Sequence, residues 1–189
     1  MSIQIELITN TSQAEASTLS FWQQIKEDWI AHGRDWTKPG FRAVVVHRFG
    51  VWRKKIKPKL LQAPFSILYG MLYRKVRNTY GIELPSTVQL GRRVVIHHQG
   101  TIVINAHCFI GDDSQICQGV TLGSRYPDGP FDAPTLGKHV EVCAGAKILG
   151  KVTIGDNAKI GANAVVLCDV PAGATAVGIP AKIISSSKV

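Results

Sequence analysis

The sequence predicts a mainly β protein, a prism of stacked three-sided coils that follows a helical N-terminal region. Three observations predict it. From Leu84 onward an aliphatic residue recurs every six positions, before residue 81 the apolar spacing is three to four, and the proline-rich "SRYPDGPFDAPT" (124–135) breaks the longer period once. A period of six fits neither a helix nor a free strand. It fits a chain that turns a corner every six residues and sends one aliphatic side chain inward on each side.

Taken in order, residues 1–17 read as a flexible arm and residues 18–80 as the helical region. "TLSFWQQIKEDWIAHG" offers Thr18 or Ser20 as an N-cap, sets Phe21, Ile25 and either Trp29 or Asp28 at helical spacing, and stops at Gly33. "GFRAVVVHRFGVWRKKI" and "FSILYGMLYRKVRNTYG" read as two further helices, ended by Pro58 and Gly81. Trp22, Trp29, Trp36 and Trp52 are expected to anchor the core and interfaces of these helices. Residues 81–184 form the prism. Leu84, Leu90, Ile96 and Ile102 keep one register; a two-residue shift starts a second at Ile104, Ile110, Ile116 and Leu122; a third runs through Leu136, Val142, Ile148, Ile154, Ile160 and Val166. Three sides close a coil of about eighteen residues, and the segment holds roughly five coils. Residues 124–135 must leave the prism as a loop, and 185–189 form a tail.

A chain of 189 residues with 45% apolar and 19% charged residues holds one good core and is neither disordered nor fibrous. Cys108, Cys117, Cys143 and Cys168 lie 9, 26 and 25 apart, which matches no zinc-knuckle spacing. They read as small buried fillers in a reducing compartment. The first twenty residues lack the basic start and apolar core of a secretory signal, and no apolar run reaches membrane-span length, so a cytoplasmic location is expected. Charge is unevenly placed: residues 1–80 carry 13 Lys/Arg against 5 Asp/Glu, and residues 81–189 carry 9 against 8. A solvated basic face accounts for single charges. The two clusters "RKKIKPK" and "RKVR", flanking an apolar helix, also suit peripheral contact with an anionic membrane through residues 53–77. No phosphate-cradling glycine motif and no nucleic-acid-reading motif is present.

Chemistry is expected around "RRVVIHHQGT" (92–101), where the register shift and the loop would both open a cleft. His97 and His98 are adjacent, so at most one faces a given pocket. Glu83 lies fifteen residues before His98, in the neighbouring layer of an eighteen-residue coil, where a carboxylate would orient the imidazole that deprotonates an alcohol. The bland reading makes His98 a polar corner residue and Glu83 a surface charge. His32, His47, His97, His98, His107 and His139 show no spacing that makes three ligands converge, so no metal is expected.

Residues 81–183 resemble the hexapeptide-repeat acyltransferases, serine acetyltransferase branch, through "GRRVVIHHQGTIVI", "GVTLG" and "GAKILGKVTIGDNAKIGANAVVLCDVPAGATAVGIPAKI". Residues 24–80, with "VVVHRFGVWRKK" and "APFSILYGMLYRKV", look more like the smaller members found with exopolysaccharide synthesis, such as colanic acid acetyltransferases. The resemblance implies a left-handed parallel β-helix, a homotrimer, and acetyl-CoA as co-substrate in the groove between neighbouring prisms. By position it makes His98 the catalytic base and Glu83 its supporting carboxylate. It puts Ser124, Ala144 and Ala162 against the CoA arm and Lys182 near the nucleotide end.

On the acceptor side His97 stands where the branch places an Asp, and Asp132-Ala133 stand where it carries an Arg-His pair. Asp35 matches a further substrate residue, and Arg125 or His97 would hold a carboxylate if the acceptor were serine. Without the Arg-His clamp the expectation is a sugar O-acetyltransferase acting on a lipid-linked or nascent exopolysaccharide. Serine O-acetyltransferase of cysteine biosynthesis is the alternative, and a non-catalytic β-helical scaffold a further one. The short "SSSKV" ending offers little basis for a partner-docking tail.

Overall fold

The structure, a computed structural model, describes residues 19–126 and 132–184. The arm of residues 1–17, the tail of 185–189 and the centre of the loop lie outside the described residues. Three helices come first: α1 (Phe21–Ala31), α2 (Pro39–Arg53) and α3 (Lys59–Tyr80). Strands β1–β15 then wind into a left-handed β-helix with three parallel sheets.

The first sheet stacks β1 (Ile82–Glu83), β4 (Ile102–Ile104), β7 (Thr121–Gly123), β10 (Lys147–Leu149) and β13 (Val165–Val166). The second stacks β2 (Gln89–Leu90), β5 (Phe109–Ile110), β8 (Thr135–Leu136) and β11 (Thr153–Ile154). The third stacks β3 (Val95–Ile96), β6 (Gln115–Ile116), β9 (Glu141–Val142), β12 (Lys159–Ile160) and β14 (Thr175–Val177). It closes with β15 (Lys182–Ile184), which turns back antiparallel on β14. All the aliphatic positions of the six-residue register are buried and merge into one core.

Departures from the regular coil are resolved by register. Val103 pairs with Thr121, eighteen residues on, whereas Glu83 pairs with Val103 and Val95 with Gln115, both twenty on. The two extra residues therefore sit between β3 and β4, at His97–Thr101. Phe109 pairs with Thr135 and Gln115 with Glu141, each twenty-six on, so the loop after β7 adds eight residues to its coil. Residues 132–135 already belong to the return: the Ser124 hydroxyl donates to the Asp132 carbonyl at 2.9 Å, and Pro134 is buried.

Corners demand left-handed backbone. One edge stacks Arg93, Asp113, His139 and Asn157, each with φ between 54° and 60°. Such angles are costly for side chains other than Gly or Asn. Here an ionic stack offsets the strain, because both guanidinium arms of Arg93 meet the Asp113 carboxylate at 2.6 Å.

The helices seal the open first coil at that same edge. Ser20 and Gln23 form a capping box at the start of α1, which carries Glu27 and the buried Asp28 toward the prism. Arg48 of α2 contacts Asp28 at 2.9 Å and donates to the carbonyls of Leu90 (2.8 Å) and Gly91 (2.6 Å). Glu27 pairs with Arg92, whose hydrogen bond holds the Glu27 carboxyl below its usual range against partial desolvation. A Cβ on Gly40 would collide with the Ile96 carbonyl, so α2 lies directly on the strand.

Some expectations change. α3 begins at Lys59, and Pro64 lies inside it. Pro64 removes only a bond to the carbonyl of Leu60, on the exposed first turn where water replaces it. Trp22 and Trp36 are 75% exposed, so only Trp29 and Trp52 serve as partial anchors. Cys108 alone is a buried filler, its thiol pushed up to about 12 by burial; Cys117 and Cys143 are half-buried and Cys168 is exposed.

Removing one partner of a buried ion pair strands the other, at about 3–5 kcal/mol. Asp28→Ala is expected to lower the stability of the chain by that amount in urea titration, whereas Glu141→Ala, from the exposed pair with Lys159, is expected to cost under about 1 kcal/mol. Equal effects would contradict the clamp.

Candidate active site

The longer corner between β3 and β4 sets the candidate site apart from every coil below it. His98 (φ 62°), Gly100 (φ 105°) and Thr101 (φ 52°) are all left-handed there. The His98 ring consequently projects from the coil edge and is exposed, with the His97 ring 6.4 Å away. Beneath it the same edge continues through backbone bonds from Gly119 N to Gly100 O (3.0 Å), Gly145 N to Gln118 O (2.9 Å) and Asn163 N to Ala144 O (2.9 Å). Ala144 and Ala162 thus lie on the His98 edge in successive coils, and their methyl groups leave the main chain open to a slender ligand.

Glu83 stands on β1 beside Val103, five residues past His98 in the next layer. Its carboxylate interacts with Tyr73 of α3. Burial first, then the Glu83 charge and Tyr69, push the Tyr73 phenol up to about 12, so Tyr73 stays protonated and offers its O–H to the carboxylate. No hydrogen bond joins Glu83 to His98 among the described residues.

Other predicted residues lie at four separate places. His97 stays on the edge, its Nε2 2.9 Å from Gln115 Oε1. Asp35 lies in the α1–α2 connection, where it accepts from the Thr37 amide (2.8 Å) and hydroxyl (2.6 Å). Those bonds hold its carboxyl below the usual range. Ser124, Arg125 and Asp132 form the base of the loop, on the neighbouring edge of the prism, one sheet away from His98. Arg125 donates to the Leu167 carbonyl at 2.6 Å and lies over Gly150, with the Asp132 carboxylate on the same glycine. Lys182 is exposed on β15.

Three neighbours of the site were not singled out by the sequence reading. Tyr73 is one; its signal is the inward spacing Phe65, Tyr69, Leu72, Tyr73, Val76 along α3. His32 is another. Its Nδ1–H donates to the Asp28 carbonyl (2.7 Å) and its Nε2 accepts from the Ile96 amide (3.3 Å), a pattern that assigns the neutral ring and fixes the strand just before His97. Lys147 is the third, reaching the Gly119 carbonyl and Thr121 Oγ1 (3.1 Å) and so placing an ammonium group at the His98 edge. No group of His, Cys, Asp and Glu suited to a metal ion occurs among the described residues.

A profile described as bacterial transferase hexapeptide (six repeats) matches residues 133–168. Serine acetyltransferase from Helicobacter pylori strain 26695 is 40% identical over 153 residues, covering 79% of this chain and 84% of its own length. Serine acetyltransferase from Synechococcus elongatus is 40% identical over 151 residues, covering 80% of this chain; the chain spans 59% of that relative's length. Among solved structures, serine acetyltransferase from Brucella abortus in complex with coenzyme A is 27% identical, with a TM-score of 0.72 over 87% of this chain and 67% of that one. The chain belongs to the hexapeptide-repeat acyltransferases, with serine acetyltransferases as its named relatives.

These relatives overturn the expected sugar acceptor and the assignment to the exopolysaccharide branch. The physical reason lies at the loop base. The loop base does not lack a cation despite the missing Arg-His pair at Asp132-Ala133: Arg125, named above for the serine alternative, lies over Gly150 beside the Asp132 carboxylate.

Two buried histidines set an acid limit on the folded chain. Burial holds His47, whose Nε2–H donates to the Val88 carbonyl at 3.0 Å, at about 3, and it lowers His32 as well. Both rings are neutral when folded, so the unfolded chain takes up the protons first as pH falls below about 6.5. Stability is then full above that pH and declines toward pH 3, by about 1.4 kcal/mol per pH unit for each proton. His47→Gln is expected to flatten this slope by close to one proton between pH 6 and 4 in urea titrations, and an unchanged slope would refute the assignment.

Proposed function

We propose that this chain transfers the acetyl group of acetyl-CoA to the hydroxyl of serine. The observation that carries the reading is the enlarged corner at His97–Thr101, which lifts His98 above an edge of small residues. Acetyl-CoA supplies an activated acyl carbon held as a thioester. The fit is steric: at Ala144 and Ala162 the side chains end at a methyl group, and at Gly119 and Gly145 there is none, so a pantetheine-like arm can run along the backbone. Lys147 offers positive charge beside that path.

His98 acts as general base, taking the serine hydroxyl proton as the oxygen forms its bond to the acyl carbon, and returning it to the departing CoA sulfur. Glu83 favours the imidazolium formed in between, and Tyr73 steadies Glu83. Arg125 pairs with the serine carboxylate through charge-assisted hydrogen bonds. Since Arg125 and His98 stand on different edges of one prism, a complete site needs a second copy of the chain. A homotrimer, in which each loop edge faces the next copy's His98 edge, meets that need with closed symmetry. Ser124 would then approach the CoA arm from the facing chain, and Lys182 would reach the nucleotide end. His97 and Asp35 would border the acceptor.

The test measures free CoA release with serine and with a simple hexoside, alongside the mass of the assembly. Serine is expected to be turned over to its O-acetyl ester by a trimer, with His98→Ala reducing kcat by about 10²–10⁴-fold and Glu83→Gln by less. Turnover of the hexoside alone, or full activity in His98→Ala, would refute it.

A further inference from the structure

We propose that the helical end of the molecule docks on an anionic lipid bilayer. The surface is assembled from two features that neither the prism nor the acyl-transfer site uses. α3 has two apolar faces: Phe65, Tyr69, Leu72, Tyr73 and Val76 point toward α2 and the prism, while Leu60, Ile67 and Met71 point away from both. Leu60 is 83% exposed and Ile67 68%. A surface helix ordinarily keeps its outward face polar, so three turns of exposed aliphatic side chains mark an interaction surface. No helix among the described residues is long and apolar enough to cross a membrane, so the contact is peripheral.

Trp22 adds a second exposed apolar group, 75% exposed, at the helical end. Its ring lies 5.1 Å from Phe21, which lies 5.6 Å from Trp52, itself 5.6 Å from Phe65 of α3. The exposed indole therefore ends an aromatic row that runs from Phe65 through Trp52 and Phe21, at the helical end of the molecule. An indole with one apolar face and one polar N–H is suited to the boundary between headgroups and acyl chains.

Charge selects the partner. From Trp36 to Ile82 the chain carries eleven Lys/Arg and no Asp or Glu. Lys55, Lys57 and Lys59 border the apolar patch at the α2–α3 turn, and Arg74 and Lys75 continue it along the outer face of α3; all five are exposed. A second copy of this surface would bring like charges together. A bilayer with anionic headgroups accepts the leucines and the indole while the lysines extend to the phosphates.

The full chain is mixed with vesicles of phosphatidylcholine containing about one third phosphatidylglycerol, and bound protein is measured by sedimentation and by the tryptophan emission maximum. Binding with a blue shift is expected, with little binding to phosphatidylcholine alone and release as salt rises from about 0.05 to 0.5 M. Lys55→Gln, Lys57→Gln and Lys59→Gln together are expected to weaken partitioning about a hundredfold. Leu60→Glu with Leu61→Glu is expected to abolish it. Because these side chains are exposed, thermal stability and acetyl transfer should be unchanged. Equal binding to neutral vesicles, no binding at low salt, or a change of assembly size in Leu60→Glu with Leu61→Glu would overturn the proposal, the last by giving the surface to a second copy of the chain.

Discussion

One aliphatic side chain per side fills each coil of the prism, and the backbone of every coil must hydrogen-bond to the next at a spacing of about 4.8 Å. The interior has no room for a change of length. Any extra residue must therefore leave at a corner, where the chain already departs from extended geometry. The protein uses this freedom twice, once for two residues at His97–Thr101 and once for the loop after Gly123. Both departures fall where chemistry is proposed. The rigid coils below them carry the same edges onward as level rungs of Gln118, Ala144 and Ala162.

A stack of coils also has an open end, and here the end matters because Glu83 and His98 stand on the first coil. The helices close it with polar contacts as much as with apolar ones. Arg48 takes the Leu90 and Gly91 carbonyls and the Asp28 carboxylate together, which satisfies a corner that has no preceding coil. His32 occupies the Ile96 amide and Tyr73 faces Glu83. The helical region thereby holds the strand that leads into His97 and the carboxylate beside it. Its outer surface takes no part in these contacts.

Much of this architecture is legible in the residues, for a physical reason. An interior that accepts one aliphatic side chain every six residues writes its period directly into the chain, so the burial of Leu84 through Val166 can be read in advance, whereas the two-residue displacement, read between Ile102 and Ile104, is made earlier, at His97–Thr101. Corners are harder. Arg93 and Asp113 adopt left-handed backbone without the Gly or Asn that would announce it, and ion pairing between coils supports them. Asp28 alternates with Trp29 as a choice for the inner face of α1, and only the position of Arg48 decides in favour of the carboxylate. The acceptor was misread for a related reason. The absence of an Arg-His pair at positions 132–133 outweighed Arg125, which was named for the serine alternative and which the fold brings to the same loop base as Asp132.

The account rests on a site completed by two chains, with His98 from one and Arg125 from the next. Mixing subunits tests this directly: His98→Ala and Arg125→Ala chains are unfolded together, refolded as one pool and assayed for acetyl transfer to serine. Random trimers of the two inactive chains should recover about a quarter of wild-type activity, since one interface in four would pair an intact His98 with an intact Arg125. A pool no more active than the two variants refolded separately would contradict it.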